Sequence, residues 1–132
     1  MMTIFSKIAA GEIPSYKVAE DENFFAFLDI NPLVTGHTLV IPRKTKNDYL
    51  FSLDNDIYTD LLLFAKRVAA ALEKAIPCKR IGMMVLGMEV PHTHIHLIPL
   101  QKEEDMSLHN KRLQLSPDEM QAIAKEIRKY FS

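Results

Sequence analysis

The apolar positions of the chain follow two different periods, and the longer period, of about 3.6 residues, predicts a helix. In residues 54–76 apolar side chains recur at the spacing of an amphipathic α-helix. Asp54 and Asp56 favour the positive end of the helix dipole, and Pro77 ends the helix. The predicted apolar stripe consists of Ile57, Leu61, Phe64, Ala65, Val68, Leu72 and Ile76.

Two further helices are predicted near the ends of the chain. Residues 3–10 have apolar side chains at helical spacing and are followed by Gly11, a common C-terminal cap. Near the other end, Ser116 is the expected N-cap, Pro117 occupies the first helical position and Glu119 completes a capping box. We expect this last helix over about residues 117–131.

Other segments alternate with the period of a β-strand. In FFAFLDINP, Phe25, Phe27 and Asp29 share one face, while the opposite face is also apolar. TGHTLVIP repeats this pattern, with His37 and Leu39 on one side. EIPSYKVAED is predicted to be extended as well, because a residue before proline avoids helical dihedral angles.

Two strands are expected between the long helix and the last one. RIGMMVLG is apolar on both faces, which predicts a central position in the sheet. The next strand follows after about five residues, so the two strands should be antiparallel. Strands, a long helix, more strands and a final helix predict an α+β domain with a mainly antiparallel sheet.

Length and charge limit the class of protein. The 132 residues fit a single domain over 1–132, and 16 basic against 17 acidic residues leave a net charge of −1. We therefore expect neither nucleic acid nor a membrane as a partner. The single Cys78 excludes an intramolecular disulfide and a multi-cysteine zinc cluster, and the sequence contains no evident targeting or membrane-spanning segment. These features predict a cytoplasmic protein.

The stretch EVPHTHIHLIPL places three of the five histidines at alternating positions. On a strand His92, His94 and His96 would project from one face. Crowding of the rings disfavours simultaneous protonation, and a neutral imidazole near pH 7 can attack phosphorus. A neighbouring ring can donate a hydrogen bond to a phosphate or leaving-group atom, so the pattern indicates phosphoryl or nucleotidyl transfer.

Two other interpretations of the histidines remain open. Strand histidines at this spacing also serve as zinc or copper ligands, and a cluster bonded only to itself and to backbone would be structural. His37 is a further candidate, because its second ring nitrogen could orient the nucleophile. His109 lies in a polar stretch and receives no role.

These residues resemble the histidine-triad family of nucleotide hydrolases and transferases. HTHIHLIP matches the family motif, and IFSKIAAGEIPSYKVAEDENFFAFLDINP and GHTLVIPRK extend the likeness over about residues 3–100. The resemblance implies a five-stranded antiparallel sheet with two main helices, paired in a homodimer so that the sheets join. It implies no metal and no cofactor.

The resemblance also implies roles for individual residues. His94 would be the nucleophile that takes the nucleotidyl group, His96 would contact phosphate and leaving group, His92 would support the site and His37 would orient His94. Asp29 matches a ribose-binding carboxylate. The apolar residues that match or adjoin the nucleotide pocket are Ile8, Phe27, Ile30 and Leu39.

The chain departs from the family pattern just before the triad. VLGMEVPH is shorter than the glycine-rich loop of the phosphoramidate-cleaving branch, with Met88 and Glu89 in place of Gln-Ser and Pro91 before His92. Two phosphate donors are lost, and we expect the backbone amides of Glu89 and Val90 to bind the phosphate instead.

The leading hypothesis is a metal-independent hydrolase of purine nucleoside phosphoramidates or related nucleotidyl compounds, acting through a nucleotidyl-histidine. The alternatives are a dinucleoside polyphosphate hydrolase, which differs in its leaving group, a nucleotide-binding regulatory protein with little turnover, and a metal-binding module.

Overall fold

The computed structural model describes residues 3–45 and 47–132. The described residues contain three α-helices, five β-strands and two short 3-10 turns, at Leu50–Ser52 and Glu103–Met106. In chain order the helices and strands are α1 (Ile4–Ala9), β1 (Lys17–Glu20), β2 (Phe24–Leu28), β3 (Thr38–Pro42), α2 (Asn55–Ala75), β4 (Arg80–Met84), β5 (Ile95–Leu100) and α3 (Pro117–Tyr130).

The strands form one antiparallel sheet in the order β1, β2, β3, β5, β4. Helix α2 packs on this sheet, and α3 packs against α2 and β1. The predicted α+β class, with a five-stranded antiparallel sheet and two main helices, is confirmed. The antiparallel pairing of β4 with β5 is confirmed as well.

The predicted central position of β4 is wrong, because β4 lies at the edge of the sheet. A strand that is apolar on both faces reveals a preference for burial but not the number of its hydrogen-bonded neighbours. The structure places β5 between β3 and β4, where Ile95 and Ile98 are completely buried, whereas Met83 of β4 is 54% exposed. The strand that contains His96 is therefore the inner one.

The two faces of the sheet carry separate hydrophobic clusters. Alternation along β2 sends Phe24, Ala26 and Leu28 into the large core under α2 and α3. The opposite face carries Phe25 and Phe27, as the alternating pattern predicted. There they join a smaller cluster with Phe5, Ala9, Leu39 and Ile41. Helix α1 thus covers the face on which the predicted site residues of β2 and β3 lie.

Local signals explain the limits of the helices. Thr3 caps α1 through its side chain, and Gly11 follows the helix with a φ of 83°. Ser116 and Glu119 form the expected capping box at the start of α3. In α2, Ile57 of the first turn is 38% exposed and is not among the buried residues of the helix. No helix of the described residues combines the length and the apolar character needed to cross a membrane.

Candidate active site

His92 is held at both ring nitrogens between α1 and β3. Its Nε2 lies 2.7 Å from the carbonyl oxygen of Pro42, and its Nδ1 lies 2.8 Å from Thr3 Oγ1 and 3.2 Å from Ser6 Oγ. A carbonyl oxygen only accepts, so Nε2 carries the proton and Nδ1 accepts from a hydroxyl group. Burial lowers the pKa of His92, although the Pro42 carbonyl opposes this effect. His92 is therefore a neutral, fully buried anchor of the triad segment.

His94 is oriented by the backbone of His92. The Nδ1 of His94 lies 2.8 Å from the carbonyl oxygen of His92 and donates its hydrogen to it. The Phe5 ring meets the His94 ring edge to face, with centroids 5.0 Å apart. The neutral ring then has its lone pair on Nε2. Because every fully buried side-chain nitrogen or oxygen of the described residues has a partner, the unbonded Nε2 of His94 faces accessible space.

His37 and His96 form a second pair with a defined direction of hydrogen bonding. The amide N–H of Leu33 donates to Nδ1 of His37 at 3.0 Å, so the proton of the neutral His37 ring is on Nε2. That N–H lies 3.0 Å from Nδ1 of His96, which must accept. The remaining proton of His96 is then on Nε2, which makes this atom a hydrogen-bond donor.

Burial keeps this second pair neutral. It lowers the pKa of both His37 and His96 to about 4, and nearby positive charge adds to the effect. The expectation that His37 orients His94 is wrong for the contacts of this structure. His37 bonds to His96, because β3 pairs with β5 so that Leu39 faces His96, and the orientation of His94 comes from the backbone of His92.

Asp29 follows β2 and lies beside this pair. Its Oδ1 accepts the amide N–H of Asn31 at 2.8 Å, and its Oδ2 lies 3.6 Å from Nε2 of His37. Asp29, His37 and His96 are close enough to be considered as a metal site, with candidate ligand atoms within 4.8 Å of one another. The Leu33 amide argues against this, because it leaves the proton, not a lone pair, on the His37 nitrogen that faces the others.

The predicted apolar residues do not form one surface. Phe27 and Leu39 are buried in the small cluster with Phe5, and Ile8 packs against that cluster. Ile30 is 71% exposed and lines a cavity of about 560 Å³ between residues 14–17 and α3. None of the histidines lines this cavity.

The residues just before the triad form a tight connection on the surface. Gly87 has a φ of 72°, and a side chain there would lie 3.0 Å from the Asp48 carbonyl oxygen. Glu89 is exposed, whereas Val90 packs against the small cluster. Among the hydrogen bonds of the described residues, neither the Glu89 nor the Val90 amide is a donor. Neither amide therefore has an acceptor among the described residues.

Comparison with known proteins identifies this combination of fold and histidines. A family model of the HIT domain matches residues 10–103, which is most of the chain. The chain belongs to the HIT family. An adenosine 5'-monophosphoramidase of Schizosaccharomyces pombe is 35% identical to this HIT protein over 130 residues, covering 96% of each chain.

Solved structures of HIT proteins have the same fold. A crystal structure of a Hit-like protein involved in cell-cycle regulation from Bartonella henselae matches with a TM-score of 0.81 and 32% identity, covering 98% of this chain and 96% of that one. A zinc-bound histidine triad family protein from Mycobacterium smegmatis matches with a TM-score of 0.78 and 25% identity, covering 96% of this chain and 91% of that one.

Several residues around the HIT histidines were not predicted from the sequence. Thr3, Phe5 and Ser6 come from α1, before the family match begins, and Leu33 contributes only its backbone. The one available signal was Thr3, a good N-cap directly before an apolar helix, which fixes α1 but does not reveal its contact with His92. Thr3 and His92 are 89 residues apart in the chain, and contacts between residues so far apart cannot be predicted from local periodic patterns.

Proposed function

We propose that this HIT protein hydrolyses purine nucleoside phosphoramidates or related nucleotidyl compounds at the α phosphate. The observation that carries the proposal is the hydrogen bond from His94 Nδ1 to the His92 carbonyl oxygen. It leaves a lone pair on the accessible Nε2 of His94 without the help of a carboxylate or metal. The S. pombe relative, a monophosphoramidase by name, supports the same choice of substrate.

In the first step His94 Nε2 attacks the α phosphorus. The bond to the leaving group breaks, and its electron pair leaves with that group, which takes up a proton from solvent. His94 is then a nucleotidyl-imidazolium whose Nδ1–H still donates to the His92 carbonyl oxygen, so the positive ring is stabilised in place. The Nε2–H of His96 donates a hydrogen bond to the phosphate or to the departing atom.

In the second step water attacks the same phosphorus atom. The phosphorus–nitrogen bond to His94 breaks, its electron pair returns to Nε2 of the neutral ring, the attacking water gives up a proton to solvent, and the nucleoside monophosphate leaves. His92 takes no direct part and holds the segment, because both its ring nitrogens are occupied. Protonation would remove the hydrogen-bond pattern of the His37–His96 pair, so its low pKa favours activity at neutral pH.

The nucleoside would lie along the α1 face of the sheet. Asp29 Oδ2 would accept hydrogen bonds from ribose hydroxyl groups, since Oδ1 already accepts from Asn31. Phe27, Leu39 and Ile8 would contact the base or support the residues that do. The backbone amides of Glu89 and Val90 would bind the α phosphate in place of the missing hydroxyl and amide side chains.

We further propose that the protein is a cytoplasmic homodimer joined along β4. This strand is at the edge of the sheet, and Met83, Leu86 and Met88 in and after it are all exposed. An edge strand with exposed apolar side chains gains from pairing with a second copy.

Turnover of adenosine 5'-phosphoramidate by wild type and His94→Ala tests the activity. We expect the variant to release AMP at least about a thousandfold more slowly, because the nucleophile is lost. His109→Ala is the matched control, since His109 is an exposed histidine in a polar loop. Equal rates for wild type and His94→Ala would reject the nucleophile, and rates that fall with chelator would favour the metal alternative. With a substrate labelled in its nucleotidyl group, acid-labile attachment of the label to wild type but not to His94→Ala would identify the nucleotidyl-histidine.

A further inference from the structure

The segment before α3 is attached to the loop between β2 and β3 by hydrogen bonds from two successive residues. It lies outside the HIT match, which ends at residue 103. Nη1 of Arg112 donates to the carbonyl oxygen of Asn31 at 2.7 Å, and the amide N–H of Leu113 donates to the carbonyl oxygen of Pro32 at 2.9 Å. Two successive carbonyl groups of the loop therefore have their acceptor positions filled from this segment.

The second of these bonds reaches the histidine site through a single peptide group. The carbonyl group of Pro32 and the N–H group of Leu33 belong to the same trans peptide, in which they point in opposite directions. The carbonyl oxygen accepts from Leu113, and the N–H donates to Nδ1 of His37 at 3.0 Å. The peptide is thus held on both sides, and its N–H cannot turn away from His37 without breaking the bond to Leu113.

From His37 the hydrogen bonds continue to the ring that faces the substrate. Nε2–H of His37 donates to Nδ1 of His96 at 3.0 Å, which leaves the proton of His96 on Nε2. All the bonds run in the same direction, from the Leu113 amide to His96, and each bond in such a chain polarises the next. If one ring alone changed its tautomer, two lone pairs or two hydrogens would face each other, so the two tautomers are set together.

The carboxylate beside this pair does not replace the peptide group in setting the tautomers. Oδ2 of Asp29 lies 3.6 Å from Nε2 of His37, which is beyond hydrogen-bond distance. Among the hydrogen bonds of the described residues, the Leu33 amide is the donor to Nδ1 of His37. The direction of the chain therefore depends on how firmly the Pro32–Leu33 peptide is held.

We propose that the backbone amide of Leu113 positions His96 as a hydrogen-bond donor, so that the segment after the HIT match is part of the histidine site. The inference rests on the proposed function, in which Nε2–H of His96 donates to the phosphate or to the departing atom. Without the Leu113 bond the Pro32–Leu33 peptide can rotate, and both rings sample both tautomers. A His96 ring that presents a lone pair repels the oxygen to which it should donate. Leu113 is a positioning residue, because it acts on the substrate only through His96.

Two variants of residue 113 test this role. Leu113→Pro removes the amide hydrogen, and Leu113→Ala is its reference, because it loses the side chain but keeps the N–H. With adenosine 5'-phosphoramidate we expect kcat to be about fivefold lower or more in Leu113→Pro than in Leu113→Ala, the effect of one hydrogen bond, and KM to differ less than about twofold. Equal kcat values for the two variants would overturn the assignment.

A proline one residue later controls for the rigidity of the proline ring. Gln114 is exposed, and its amide is not a donor among the backbone hydrogen bonds of the described residues. Gln114→Pro should therefore leave kcat at the wild-type value. A fall in kcat as large as that of Leu113→Pro would show that stiffening of the segment, not loss of the bond, is responsible, and would reject the role of the Leu113 amide.

NMR spectroscopy of the ring nitrogens separates this inference from the proposed activity, because it needs no substrate. In wild type and Leu113→Ala we expect His37 and His96 each to carry its proton on Nε2 alone. In Leu113→Pro the shifts of both ring nitrogens should move toward the average of the two tautomers. If wild type hydrolyses no adenylate and this change is present, the activity is rejected and the role of Leu113 stands. If hydrolysis occurs and the tautomers are the same in all variants, the role of Leu113 is rejected and the activity stands.

Wild type supplies a further measurement if thermal unfolding shows that Leu113→Pro does not fold. The Leu113 amide should exchange its hydrogen with solvent at least about tenfold more slowly than the Gln114 amide, after correction for intrinsic rates, because Leu113 is hydrogen-bonded. Equal rates would show that the bond to the Pro32 carbonyl oxygen is not maintained in solution, and the proposal would be rejected.

Discussion

The two faces of the sheet bury their side chains by different means. Under α2 and α3 the core is mainly aliphatic and aromatic, with Phe64, Leu61 and Leu72 almost completely inaccessible. On the α1 face an apolar cluster adjoins His37 and His92, which are just as inaccessible but polar. Their burial is favourable only because each ring nitrogen has a partner. The stability of the face under α2 and α3 depends on filling its volume with apolar side chains. The stability of the α1 face depends on giving each buried donor an acceptor and each buried acceptor a donor.

The largest effect should come from a loss of volume on the helix-covered face. Phe64→Ala is expected to lower the free energy of unfolding by about 3–5 kcal/mol, because a fully buried ring in contact with Phe24 and Phe131 leaves a cavity. Urea unfolding measures the change. Leu63→Ala on the same helix is the control, since Leu63 is 55% exposed. Similar losses for both variants would contradict the dependence of this face on buried volume.

The next largest effect should be a pH dependence of stability that arises from the buried histidines on the α1 face. In the folded protein the pKa of His37 and of His96 is about 4, compared with 6.5 in the unfolded chain. Between these values the unfolded state binds more protons, so stability is complete above about pH 6.5 and is lost as pH falls toward 4. Each histidine contributes up to about 1.4 kcal/mol per pH unit in that interval.

Urea unfolding between pH 7 and pH 5 checks this dependence. Replacing His37 with Gln should make the free energy of unfolding change less steeply with pH. His109→Ala should leave this slope unchanged, because His109 is exposed. The histidine contribution is rejected if His37→Gln and wild type lose stability equally over this interval.

A smaller effect is expected where the histidine face depends on one hydroxyl group. Thr3→Val keeps the shape of the side chain but removes the N-cap bond to the Ser6 amide and the bond to His92 Nδ1. We expect a loss of about 1 kcal/mol, since Ser6 Oγ remains close enough to donate to His92. Thr3→Ser should restore stability. A loss shared by Thr3→Ser would show that the methyl group, not the hydroxyl group, matters.

The smallest change in protomer stability should come from the edge of the sheet. Met83→Lys adds a charge at an exposed position of β4 and should alter unfolding of the single chain by only a few tenths of a kcal/mol. Its main consequence should be on assembly, because an edge charge opposes pairing between strands. Sedimentation should show dimers of wild type and monomers of the variant. Wild type that is monomeric at micromolar concentration would reject the dimer.

Much of the fold was accessible from local patterns. The period of α2, the capping box of α3 and the alternation of β2 each depend on residues close together in the chain. The same reasoning placed His37 and Leu39 on one face and grouped the three triad histidines. Only His96 lies within β5, however, so the prediction that all three share a strand is wrong for His92, which lies at a bend, and for His94, which precedes the strand.

Residue types and their spacing were enough to predict which chemical groups are available and which residues of a helix or strand share a face, because periods of two and of three to four residues follow from backbone geometry. The tertiary structure alone decided that β4 is an edge strand and that His37 bonds to His96. It also brought Thr3 to His92 and Arg112 to the Asn31 loop. These contacts join residues far apart in the chain, and they depend on strand order and on the path of the C-terminal segment. Neither leaves a periodic pattern in the sequence.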